Sequence, residues 1–118
     1  MKLLTSALRT KLVNNHEVNL AAMDTDGDTV DFKPVVKLFN PCGAATWLIT
    51  ELDPETNIMF GLCDLGMGFP ELGEVSLDEL AGIKVSFGLG IERDMGWSAD
   101  KTLSEYATIA SDHRMIRA

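Results

Sequence analysis

Ala45-Thr46-Trp47-Leu48-Ile49-Thr50-Glu51-Leu52, the polar pentapeptide Asp53-Pro54-Glu55-Thr56-Asn57 and Ile58-Met59-Phe60-Gly61-Leu62-Cys63 form the stretch that decides the fold. Two runs rich in β-branched and aromatic residues, joined by a short loop with proline and asparagine, predict an antiparallel hairpin. Neither run has a polar face. Trp47 and Ile49 alternate with Leu48 and Leu52, and Phe60 and Leu62 alternate with Met59 and Cys63, so both sides of the sheet must be covered.

Val35–Phe39 extends the pattern on the amino side as a third short strand, ended by the turn pair Asn40-Pro41. A meander is the simplest assembly. On the carboxyl side Leu65–Pro70 has no period and two glycines around Met67, which predicts a loop. Gly90-Ile91-Glu92-Arg93-Asp94 reads as a last strand or extended arm.

Helices flank this β segment. Leu4, Leu8 and Leu12 recur at i, i+4 and i+8, and Asn14-Asn15 offers a stop. The apolar Val18–Met23 that follows is too short to classify, and Asp24–Thr29 is a polar turn cluster. Ser76 with Glu79 three residues later predicts a capped short helix ending at Gly82. Thr102 with Glu105 repeats the pattern, and Leu103, Tyr106, Ala107 and Ala110 form the apolar stripe of a carboxy-terminal helix ending near His113. The expected architecture is α+β: a small antiparallel meander with an amino-terminal helix, a carboxy-terminal helix and one short helix. Helices are expected on one face, with loops or a second copy of the chain on the other.

Size and composition fit a single domain over residues 1–118: one modest core is all that 118 residues at 46% hydrophobic content support. No apolar run approaches the ~18–20 residues of a membrane span, and the first residues turn polar too early for a secretion signal, so a cytoplasmic protein is expected. Cys42 and Cys63 lack the paired spacing of a zinc or redox motif and are expected to be buried, reduced thiols.

Charge is distributed unevenly. Acids and bases balance in residues 1–37 and again in residues 84–118, so the net charge of −8 resides between Leu38 and Ile83. There Glu51, Asp53, Glu55, Asp64, Glu71, Glu74, Asp78 and Glu79 meet no lysine or arginine. A one-signed segment bears on partners rather than on fold, and it disfavours direct nucleic-acid binding, which needs a basic footprint. These eight carboxylates are the candidate contacts for a basic partner surface; a solvated acidic face that aids solubility is the plainer reading.

Other constellations are weak. Asp24-Thr25-Asp26-Gly27-Asp28 resembles the opening of a calcium loop, but Thr29 and Val35 stand where its sixth-position glycine and twelfth-position glutamate belong. His16 and His113 have no second ligand at metal spacing, and neither cysteine has a histidine base nearby in sequence. Gly88-Leu89-Gly90 lacks the third glycine of a dinucleotide fingerprint, Arg93 taking its place. No cofactor and no metal are expected. Asp64, Glu71, Glu92 and Asp94 could serve a small metal- or carboxylate-dependent hydrolase if they converged near Gly66–Gly68, with Arg93 clamping an anion or, more simply, forming an ion pair with its acidic neighbours.

The blocks Lys33–Pro41 (KPVVKLFNP), Ala45–Leu52 (ATWLITEL), Phe60–Gly66 (FGLCDLG), Pro70–Gly73 (PELG) and Gly90–Asp94 (GIERD) resemble, in this order, a bacterial domain-of-unknown-function family of short proteins often encoded on plasmids and integrative elements. The resemblance spans roughly residues 33–107 and carries no catalytic residue. It implies an accessory protein of mobile DNA. With the acidic segment it suggests a non-catalytic anti-defence protein, of anti-CRISPR or DNA-mimic type, that binds the basic surface of a host nucleic-acid-binding protein. The hydrolase stays open as an alternative. So does a homodimeric regulatory or structural subunit, to which the two-faced strands and the Met67 and Phe69 loop point.

Overall fold

The computed structural model describes residues 2–118. Its elements are α1 (Ser6–Asp24), β1 (Val36–Phe39), β2 (Thr46–Leu52), β3 (Ile58–Asp64), β4 (Glu71–Ser76), α2 (Leu77–Gly82), β5 (Glu92–Arg93) and α3 (Leu103–His113). The five strands form one antiparallel sheet in the order β4-β3-β2-β1-β5. β1 to β4 are a meander, and β5 adds to its free side. The predicted α+β class, the hairpin and all three helices are present.

Both faces of the sheet are covered, each by a different helix. On one side Trp47, Ile49, Leu52 and Met59 pack with Leu12 of α1 and with Leu3, Leu80 and Ile91. On the other, Leu48 and Leu62 pack with Leu103, Tyr106 and Ala110 of α3, flanked by Phe60 and Trp97. This corrects the expectation of helices on one face only: the second apolar face of β2 and β3 is satisfied by α3 rather than by loops or another copy. Full burial of an aliphatic side chain contributes roughly 1.5–3 kcal/mol, so the two inward rows of β2 are the chief stabilising set.

α1 runs through the asparagines that were expected to stop it. Leu8, Leu12, Asn15 and Asn19 continue one helix face at helical spacing, and the asparagines bond to what that face covers. Asn15 Nδ2 donates to the Thr50 carbonyl at 3.0 Å, at the point where the β2–β3 register slips by one residue. Asn19, buried, accepts from the Val30 N–H (2.7 Å) and donates to the Val30 carbonyl (3.2 Å). A buried amide with its partners in place belongs in a helix; the same amide unpartnered would favour a helix end.

β4 is the element that sequence pattern missed. Its residues Glu-Leu-Gly-Glu-Val-Ser carry a mid-strand glycine and two acids because it is an edge strand, paired only with β3. Capping at the two later helices follows expectation. Ser76 Oγ accepts from the Glu79 N–H at 3.1 Å, and the Glu105 carboxylate accepts from the Thr102 N–H at 2.9 Å.

Candidate functional site

A groove of about 650 Å³ opens between the second half of α1, the segment before β1 and the start of α3. Its floor is a row across three strands. Glu51 of β2 faces Phe60 of β3, which faces Glu74 of β4, so the three side chains project to one side of the sheet with the ring between the carboxylates. At the usual strand separation the two glutamates stand about 10 Å apart. Asp31, Asp53, His16 and Asn19 add polar groups to the wall, with Thr29, Thr50 and Ser104 beside them.

Each of these groups is placed by a local cause. Glu51 is half-buried and accepts from Asn19 Nδ2 at 3.0 Å, which fixes it against α1. Asp53 follows β2 and accepts from the Glu55 N–H at 2.9 Å within the hairpin loop; His16 Nε2 lies 4.0 Å from the same oxygen. The Asp31 carboxylate accepts from the N–H of Ser104 at 3.1 Å and from its hydroxyl, capping the first turn of α3 from outside the helix. Burial pushes the Asp31 carboxyl up, but hydrogen bonding from Ser104 and Thr102 together outweighs it and holds the group below the ordinary carboxylate value.

The other sequence-nominated carboxylates are scattered around this groove. Glu55 is exposed at the hairpin tip, and Asp78 and Glu79 are exposed at the start of α2, which the Leu77 N–H to Asn57 carbonyl bond ties to that tip. Glu71 and Glu74 are exposed on the open edge strand. Asp64 does not join them. It is buried, with one oxygen accepting from Gly66 N–H (2.8 Å) and the other from Ile116 N–H (2.9 Å), a structural carboxylate on the α3 side of the sheet. Among the described residues no lysine or arginine comes within 4.0 Å of any of the eight.

The four carboxylates named for hydrolysis do not meet at one site: Asp64 and Glu71 lie at one side of the sheet, Glu92 and Asp94 at the other. Asp64 is buried beneath the end of α3, and Glu71 starts β4. Glu92 lies on β5 at the opposite sheet edge, four strand spacings or about 19 Å away. Asp94 pairs with Lys37 at 3.9 Å. Arg93 makes no ion pair with Glu92 or Asp94; its guanidinium donates to the carbonyls of Leu3 (2.6 Å) and Lys2 (3.3 Å). Among the described residues no three His, Cys, Asp or Glu side chains converge as a metal site would require.

The cysteines also part company. Cys42 is exposed in the turn before β2, against the expectation of burial, because Asn40 rather than the core organises that turn, its side-chain oxygen accepting from the Cys42 N–H at 2.9 Å. Cys63 is half-buried, and burial, with the Glu71 charge opposite it, pushes its thiol up to about 11.

Beside the groove, on the β4 edge, Leu65, Met67, Phe69 and Leu72 are exposed and border a second hollow of about 480 Å³. Sequence reasoning named the acids one by one but not their meeting with Asp31, His16 and Phe60. That meeting depends on the full length of α1 and on β4.

In comparisons with known proteins, the family model described as Protein of unknown function (DUF2958) matches residues 3–117. The chain belongs to that family. No curated protein and no solved structure matches it.

Proposed function

We propose that this DUF2958 protein works by binding, through its acidic groove, the basic surface of a nucleic-acid-binding protein, as an anti-defence or DNA-mimic accessory of mobile DNA. The observation that carries the reading is the Glu51–Phe60–Glu74 row with Asp31 and Asp53 at its rim. A lysine or arginine seated on this row would lay its alkyl stem against Phe60 and meet a carboxylate on either side, in a half-enclosed site where such contacts are stronger than in bulk water. The exposed carboxylates of the hairpin tip and of α2 extend the same sign outward, which favours fast, salt-sensitive association. The resemblance to proteins of plasmids and integrative elements supplies the biological setting of the proposal.

The test is a pair of captures from a bacterial host lysate, with the tagged chain and with its Glu51→Lys/Glu74→Lys variant, eluted in a salt gradient. The captured protein is then purified and assayed for its own nucleic-acid binding in the presence of the chain. A partner released at moderate salt, absent from the variant and inhibited by the chain supports the reading. Equal capture by the variant, or a partner that still binds nucleic acid normally, overturns it.

A second reading, a homodimer, rests on the exposed Leu65, Met67, Phe69 and Leu72. Glu71 and Glu74 weigh against direct pairing of two β4 edges, since antiparallel copies would set like charges near one another. Light scattering after gel filtration decides it: a dimer that Met67→Ser/Phe69→Ser converts to a monomer supports this reading, and a wild-type monomer removes it.

A further inference from the structure

We propose that the pocket at the amino end of α1 binds a phosphate-class anion, either free phosphate or the phosphoryl end of a small organic phosphomonoester. The inference is independent of the acidic groove. Lys2, Arg9 and Arg93, three of the ten lysines and arginines in the chain, line one pocket of about 510 Å³, within the roughly 300–1,000 Å³ range of small-molecule sites. They arrive from three places: the segment before α1, the first turns of α1, and β5.

In a chain with 18 acids, arginines would be expected to find carboxylates, yet among the described residues none lies within 4.0 Å of either guanidinium or of the Lys2 amine. The neutral partners these arginines do have orient them. Arg93 Nη1 is held by the carbonyls of Leu3 and Lys2, and one Arg9 nitrogen donates to Asn57 Oδ1 at 2.8 Å. A guanidinium has five donors, so each retains N–H groups for a ligand, and each is half-buried, where an unneutralised charge is costly until an anion arrives.

Two hydroxyls add donors at the same pocket. Thr5 Oγ1 accepts from the Leu8 N–H at 3.2 Å, which leaves its proton free to donate outward, and Ser6 lines the wall beside it. Two planar forks, an ammonium and two hydroxyls suit a tetrahedral oxyanion carrying two charges better than a single carboxylate. Leu4 and Met95 supply an apolar flank on which the organic part of a phosphomonoester can lie.

The experiment is a titration of the full chain, followed by amide NMR at constant ionic strength, with inorganic phosphate, adenosine monophosphate and chloride as separate probes. Saturable shifts at residues 5–9 and 93–95 with phosphate or the nucleotide, absent with chloride, are expected. Arg9→Gln and Arg93→Gln should each weaken binding by about tenfold or more, as loss of one charge-assisted contact implies. Lys2→Gln, at an exposed side chain that makes no hydrogen bond among the described residues, keeps the test valid if an arginine variant misfolds, and should weaken binding severalfold. Tighter binding of the nucleotide than of phosphate assigns the apolar flank to the ligand; equal binding assigns the site to the free anion. Shifts that never saturate, that chloride reproduces, or that survive Lys2→Gln and both arginine changes overturn the proposal.

Discussion

The carboxylate of Asp64, at the end of β3, accepts a 2.9 Å hydrogen bond from the backbone N–H of Ile116, 52 residues further along the chain. Its other oxygen accepts from Gly66 at 2.8 Å, so one buried acid fixes both the β3–β4 loop and the segment after α3. Asp64→Ala takes the acceptor from two part-buried hydrogen bonds and leaves the Ile116 N–H without its partner, and should lower stability by about 1–3 kcal/mol. Urea unfolding measures the loss, and faster hydrogen exchange at the Ile116 amide locates it. An unchanged midpoint would show that the carboxylate is not structural.

Gly61 and Gly73 are cross-strand partners with opposite tolerances. A Cβ at Gly61 would stand 2.0 Å from the Leu48 carbonyl oxygen and 2.9 Å from Ile49 Cα, both backbone atoms of the central strand β2. The same atom at Gly73 meets nothing within 4 Å. Gly61→Ala therefore forces strand separation and should cost about 3 kcal/mol or more, or prevent folding. Gly73→Ala should fall within about 0.5 kcal/mol of wild type, the smaller entropy of the unfolded alanine chain offsetting little else. Matched thermal melts decide between these outcomes, and equal effects would refute the close approach at Gly61.

How far the sequence could be read follows from where its signals are local. The two-faced runs Ala45–Leu52 and Ile58–Cys63 announce buried central strands, and the Ser76–Glu79 and Thr102–Glu105 pairs announce helix starts, because each is written within a few residues. The end of α1 is not local: Asn14-Asn15 reads as a stop and Val18–Met23 as too short to classify until Thr50 is brought to Asn15, and Val30 and Glu51 to Asn19. β4 is illegible for a related reason, since an edge strand needs acids and can carry a glycine. Without those two elements, Glu51 and Glu74 remain separate acids, and the Phe60 ring between them is only another core residue.

The two thiols should differ sharply in reactivity. Cys63 is half-buried and its thiol is pushed up to about 11, first by burial and then by the Glu71 charge, so only about one molecule in a thousand carries the thiolate at pH 8. Cys42 is exposed. A disulfide reagent at pH 8 should consume one equivalent quickly and the second slowly, and Cys42→Ser should remove the fast phase. Glu71→Gln should speed the slow phase by removing the repelling charge. Two equal rates in the folded protein would contradict the burial of Cys63.

Asp31 supplies a stability contribution with a defined pH window. Burial pushes its carboxyl up, but the Ser104 hydroxyl and N–H, with Thr102, hold it below the ordinary value of 3.8. For an acid whose folded pKa is depressed, the unfolded chain takes up the proton first on acidification. The stabilisation is therefore complete above the unfolded pKa, near 4, and disappears as pH falls through the lower folded value. Because Asp31 is exposed, solvent screens the interaction, and Asp31→Ala should cost on the order of 1 kcal/mol at pH 7, the range of a helix cap. Urea unfolding of both proteins from pH 7 to pH 2.5 should show that gap holding steady down to about pH 4.5 and then narrowing. A gap independent of pH would mean that Asp31 acts through packing or backbone conformation, and that its charge does not hold α3 in place.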